Sequence, residues 1–125
     1  DDALYSAARL LEILAAQLCQ PRVIFSRLPD SVNTPELKLE LKEGENFKFM
    51  EKLSEKSVEF TDAEISLIDG IRVDYAHCWG LVRASNTTPC LVLRFEGQTK
   101  EAMMKVQAKF KEVIHAVDAT LELPF

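Results

Sequence analysis

The chain has 125 residues, with 15 Lys and Arg against 20 Asp and Glu, for a formal net charge of -5 at pH 7. With 47% apolar and 28% charged residues it has enough apolar material to bury one core, which excludes a disordered tail or a fibrous repeat. The acidic balance argues against a nucleic-acid or polybasic membrane-surface partner, so any bound anion must be held by local donors. No apolar run approaches the roughly 20 residues of a membrane-spanning helix.

Asp1 and Asp2 show neither an initiator Met nor the basic-then-apolar layout of a signal peptide, and the chain is expected to be cut from something longer. Cys19, Cys78 and Cys90 are odd in number and lack CxxC spacing, which predicts reduced thiols in a cytoplasmic protein.

From Ala3 to Leu18, Ala7, Leu10, Leu11, Leu14 and Leu18 recur at helical spacing and Pro21 ends the pattern, predicting an amphipathic helix. Residues 22–28 read as a short extended segment. Turn formers around Pro29 and Pro35 then predict a hinge over residues 29–36, with Pro29 at its start. Leu37, Leu39 and Leu41 alternate with Lys38, Glu40 and Lys42, the period of a strand with one buried face. Asn46 is the expected N-cap of a short helix striped by Phe49, Met50 and Leu53. Ile65 and Leu67 on one side of Asp69-Gly70, and Ile71, Val73 and Tyr75 on the other, predict a hairpin. Two further strands, Trp79–Val82 and Cys90–Phe95, flank a polar loop from Arg83 to Pro89. Thr99 caps a final helix whose stripe is Met103, Val106, Phe110, Val113, Ile114 and Val117. This order of elements predicts an α+β fold, an antiparallel sheet with helices packed against it. One sheet face is expected to be buried and the other wetter, open to a partner or ligand.

The loop Arg83-Ala84-Ser85-Asn86-Thr87-Thr88-Pro89 carries the chemistry. Arg83 offers a planar fork to two phosphate oxygens, Ser85 and Thr87 add hydroxyls, and loop N–H groups can converge as an anion nest. On composition alone the same residues also read as an ordinary hairpin loop, since Ser, Asn, Thr and Pro are common turn formers.

Asp69-Gly70-Ile71-Arg72-Val73-Asp74-Tyr75, Trp79-Gly80-Leu81-Val82 with the loop that follows, and Leu91-Val92-Leu93-Arg94-Phe95-Glu96 closely resemble the C-terminal domain of the bacterial phosphomannomutases/phosphoglucomutases, the α-D-phosphohexomutases. Cys78 and Thr88 depart from that pattern, which often has Gly and Glu at these places. The resemblance implies a fold like that of TATA-binding protein after the hinge. It also implies that Arg83, Ser85, Asn86 and Thr87 bind the substrate's phosphate. Residues 1–28 look like a remnant of the family's third domain, and 37–125 like its fourth. The family's phosphoserine, magnesium and sugar-recognition loops have no match here and belong to its earlier domains.

The implied role is therefore to grip the phosphate that is not transferred and to close the cleft, during interconversion of mannose or glucose 1- and 6-phosphates by the full enzyme. That enzyme would be a phosphoserine-bearing isomerase using Mg2+ and a hexose 1,6-bisphosphate; the present chain alone is expected to be inactive. The alternative is a free-standing α+β module that binds another protein. His77, Cys78 and His115 lack ligand spacing, and no metal site is predicted among them. Asp62 with Glu64, and Glu43 with Glu45, read as solvated turn charges and not as an acid/base pair.

Overall fold

The computed structural model describes residues 2–125 and divides into two compact units, one reaching Asp30 and the other spanning Ser31–Phe125. In the first, helix α1 (Ala3–Ala16) is capped by Asp2, whose carboxylate accepts from the Tyr5 amide at 2.9 Å. A second helix, α2 (Pro21–Phe25), follows where an extended segment was expected. The first helix ends at its C-cap Gln17, and Pro21 starts the second, because its missing N–H and fixed φ suit the first helical position. Neither helix buries a residue, and Leu4, Leu10, Leu11 and Ile13 stand exposed on α1.

The second unit is a six-stranded antiparallel sheet with helices on one face. Its strands are β1 (Val32–Asn33), β2 (Leu37–Glu40), β3 (Glu64–Ser66), β4 (Ile71–Asp74), β5 (Cys78–Ala84) and β6 (Cys90–Gly97). β3 to β6 form a meander, and β1 and β2 lie in succession along the far edge of β6. β1 falls inside the expected hinge and had no counterpart in the sequence pattern. Between these two strands Pro35 has no N–H for a ladder. Thr34 just before it continues the register of β1 opposite Phe95: its amide donates to the Phe95 carbonyl at 2.9 Å, and its hydroxyl accepts from the Phe95 amide at 3.1 Å.

Helices α3 (Glu45–Glu55) and α4 (Lys100–Val117) cover one sheet face. The Thr99 hydroxyl caps α4, accepting from the Ala102 amide at 3.2 Å, as expected. Val106, Phe110, Val113 and Ile114 fall on its buried face. Phe110 meets Phe95 edge-on at 5.3 Å and Phe60 at 4.7 Å. Each such fully buried ring contributes about 1.5–3 kcal/mol relative to exposure. Gly80 makes the close approach possible, since a Cβ there would stand 2.5 Å from the Phe110 ring.

The opposite face presents Arg72, Asp74, Trp79, Leu81, Arg83, Arg94 and Glu96. On it Asp74 accepts two 2.7 Å hydrogen bonds from Arg72, whose guanidinium lies 4.2 Å from the Trp79 ring centre.

The β3–β4 connection is longer than a two-residue turn: β3 ends at Ser66, and Leu67 and Ile68 are exposed. Gly70 closes it at φ 81, where a Cβ would lie 2.2 Å from the Val82 carbonyl oxygen and 2.6 Å from the Arg83 Cβ. Gly70→Ala is therefore expected to destabilise this unit by about 2–5 kcal/mol, summing left-handed strain and overpacking. Gly44, at φ 73 with open space around it, incurs only the strain of about 1–2 kcal/mol on the same change. Urea unfolding followed by the fluorescence of Trp79, the chain's one tryptophan, measures both. Equal losses at the two positions would show that β5 yields to the added methyl.

Candidate functional site

β5 and β6 pair over seven positions, from Cys78 opposite Gly97 to Ala84 opposite Leu91, and the polar loop crosses between their ends. Ser85 organises it. The Ser85 amide donates to the Cys90 carbonyl at 2.9 Å, and the Ser85 carbonyl accepts from the Asn46 carboxamide at 2.9 Å. The Ser85 Oγ lies 3.3 Å from the amides of both Thr87 and Thr88, which donate to it, and 2.9 Å from the Thr88 hydroxyl. These two amides thus turn inward to a side chain, and not outward as the nest that the sequence allowed. With two amides donating to it, the Ser85 hydroxyl has its own proton directed at a neighbouring hydroxyl, Thr88 at 2.9 Å or Thr87 at 3.4 Å. Asn86 makes no hydrogen bond among the described residues. Leu41 donates to the Pro89 carbonyl at 2.9 Å, tying the loop's far end to the segment after β2.

Asn46, expected as an N-cap, is not one. Gly44 occupies that position without a side-chain cap, while Asn46 sits inside the first turn of α3 with 3% of its surface exposed. Glu43, Gly44, Asn46 and Phe47 form one wall of a cleft of about 210 Å³, and residues 85–89 form the other. Ser85, Asn86 and Thr87 are thus brought together.

Arg83 is not part of that lining. It is a strand residue, opposite Val92, and its guanidinium Nη1 stands 3.8 Å from the Asp69 carboxylate. Asp69 is largely exposed, so solvent weakens this pair. Gly70 packs against the Arg83 backbone, so the turn that carries Asp69 is seated beside Arg83 by contact as well as charge.

A larger cavity, of about 830 Å³, lies elsewhere, beside Tyr75, His77, Cys78 and the start of α4. Burial pushes the Tyr75 hydroxyl up, with smaller contributions from Cys78 and Asp62. Burial likewise pushes the Cys78 thiol up, opposed by the Lys105 ammonium. His77 Nδ1 is 3.0 Å from Gln98 Oε1, and His115 Nε2 is 3.1 Å from the Leu121 carbonyl. Among the described residues no three His, Cys, Asp or Glu side chains group to hold a metal ion.

An antiparallel sheet with both helices on one face, and a hydroxyl-rich loop between its two longest strands, defines an α+β domain with a polar hairpin cleft. Residues 36–113 match the family described as phosphoglucomutase/phosphomannomutase, C-terminal domain, and the chain belongs to that family. A phosphomannomutase/phosphoglucomutase of Pseudomonas aeruginosa is 44% identical over the whole chain, which spans 27% of that relative's length. A phosphoglucomutase of Neisseria meningitidis is 50% identical over 93% of the chain and 25% of its own length. The crystal structure of a phosphoglucomutase/phosphomannomutase family protein from Burkholderia thailandensis superimposes on the whole chain with a TM-score of 0.87 at 43% identity, covering 26% of that protein. The chain therefore spans about a quarter of these relatives.

The Cys78 environment has a measurable consequence. Because burial disfavours its thiolate, alkylation of Cys78 by iodoacetamide is expected to keep accelerating above pH 8.5, the value of about 8.5 being that of an ordinary thiol. Mass spectrometry of the peptide containing Cys78, against a short unstructured thiol peptide, follows this. A plateau at the same pH as the reference would contradict it.

Proposed function

We propose that this chain is the phosphate-gripping domain of a phosphohexomutase, which holds the non-transferred phosphate of a hexose 1- or 6-phosphate through Arg83, Ser85, Asn86 and Thr87. The observation that carries the reading is the loop after β5 in a chain of this family: Ser85, Asn86 and Thr87 share one cleft wall, with Arg83 two residues before Ser85. The Ser85 and Thr87 hydroxyls and the Asn86 carboxamide are donors of the kind a dianion needs, the Ser85 proton turning from its neighbouring hydroxyl to the ligand. Arg83 adds the charge, exchanging its 3.8 Å approach to Asp69 for a paired contact with phosphate. The Glu43 carboxylate on the facing wall opposes an anion, so the cation is essential to the grip.

Pro29 would be the hinge on which this domain closes over substrate. The division between Asp30 and Ser31 supports a hinge there, and the bonds of residues 32–34 to β6 confine the rotation to residues before Val32. The exposed apolar stripe of α1 supports its reading as a remnant of the preceding domain. Closure would use the energy of phosphate binding to position the reacting end of the sugar. Phosphoryl transfer through a serine phosphate, with a hexose 1,6-bisphosphate as intermediate, would fall to the remaining three-quarters of the polypeptide. Magnesium would assist that transfer electrostatically; the described residues supply no donor set for it, and the grip itself does not involve it. Three free thiols support a cytoplasmic setting.

In the longer polypeptide, Arg83→Ala is expected to weaken binding of both hexose 1- and 6-phosphates about ten- to a hundredfold, from a loss of about 1.5–3 kcal/mol for a charged hydrogen-bonded contact. Arg83→Lys is expected to recover only part of that loss, since it keeps the charge without the fork. Titration calorimetry with circular dichroism decides the matter: unchanged affinity in a folded variant would leave the loop an ordinary hairpin.

The present chain, given glucose 1-phosphate, magnesium and a trace of glucose 1,6-bisphosphate, is expected to form no glucose 6-phosphate above a buffer control. Turnover would overturn the assignment of the transfer chemistry to the rest of the polypeptide.

A further inference from the structure

We infer that Asn46 is a positioning residue for the phosphate-binding loop, and that it sets the loop's donors through a single hydrogen bond from its carboxamide to the Ser85 carbonyl. The inference rests on the reading of the loop as a phosphate site.

A carboxamide that is 3% exposed is unfavourable to bury unless bonded. Asn46 spends this burial on a partner 39 residues away, at 2.9 Å. A buried Asn acting only as a helix-to-sheet strut could bond any strand carbonyl; this one bonds the first residue of the loop. Its effect then propagates. The Ser85 peptide groups are held on both sides, by the Cys90 carbonyl at the amide and by Asn46 at the carbonyl. That fixes the direction of the Ser85 side chain, whose Oγ gathers the Thr87 and Thr88 amides at 3.3 Å each. Asn86, which lies between them, is placed by the same frame. Arg83 lies within β5 and is held by the ladder, so it does not depend on Asn46. The geometry thus divides the grip into a cation set by the sheet and a donor loop set by α3.

The test uses the longer polypeptide with glucose 6-phosphate and glucose 1-phosphate, and the present chain for spectroscopy. Asn46→Leu keeps side-chain volume and burial while deleting the donor; Asn46→Ala deletes both; Asn46→Gln keeps the donor on a longer stem. Asn46→Leu is expected to raise KM for both phosphosugars about three- to tenfold, the equivalent of one neutral hydrogen bond, with a smaller change in kcat. Asn46→Gln is expected to recover part of the loss. In the present chain the amide resonances of Ser85, Asn86, Thr87 and Thr88 are expected to shift in Asn46→Leu, while those of Arg83 and Val92 stay. A variant that melts earlier but keeps both KM and the loop resonances would make Asn46 a strut and overturn the inference. If Arg83→Ala weakens phosphosugar binding and a folded Asn46→Leu does not, the inference fails and the phosphate reading stands. If neither variant weakens it, the phosphate reading falls and this inference with it.

Discussion

β6 must satisfy hydrogen-bonding groups along both of its edges, and the rest of the second unit is arranged around that demand. Seven of its residues pair with β5 on one side, while β2, Thr34 and β1 occupy the other. A buried strand cannot leave its amides unpaired without losing the equivalent of a hydrogen bond at each. The demand explains why a segment as short as Val32–Asn33 forms a strand, and why the Thr34 hydroxyl turns to accept from the Phe95 amide between β1 and β2. It also fixes the place of the loop, because the end of the β5–β6 ladder is where Ser85 must turn.

Two arginines on the open sheet face show how the same side chain is given different freedom. Arg72 is locked by two 2.7 Å bonds to Asp74 and by the Trp79 ring, and its pKa is raised chiefly by that hydrogen-bonded carboxylate. Among the described residues Arg83 has one carboxylate near it, Asp69 at 3.8 Å, beyond hydrogen-bond reach. A ligand would have to break the Arg72 pair but would only have to displace Asp69 from its neighbourhood. Arg83 is thus less committed than Arg72, and unlike Arg94, which stands farther along β6 opposite Leu81, it adjoins the loop that begins at Ser85.

Elements with several turns of periodicity were legible in the sequence: the α4 stripe from Met103 to Val117, the alternation at Leu37–Leu41 and the strands flanking the loop. The elements that the pattern missed are short or settled at a distance. α2 has five residues, too few to show a helical period, and β1 has two, whose pairing depends on the free edge of β6. Arg83 was read as a loop residue because its charge ended the apolar run, yet the ladder with β6 continues through it to Ala84. Ser85 and Thr87 were legible as hydroxyl donors from residue type, whereas Asn86 entered only through the family resemblance. Asn46 was legible only as a cap former, since a side chain's local preference says nothing of a carbonyl 39 residues away.

The edges of the sheet bear on how the molecule behaves in a crowded solution. One edge is the three-residue β3; the other is split into strands of two and four residues by Pro35, which cannot donate. Neither presents the long, flat row of free amides and carbonyls on which a second chain builds a cross-strand ladder. β1 and β2 also sit one residue out of register with each other along β6, Asn33 opposite Glu96 but Leu37 opposite Leu93, so this edge is bulged as well as interrupted. Proline, register shift and short strands together are the features by which sheet proteins keep their edges from recruiting one another, and here they act at the side of the sheet away from β3.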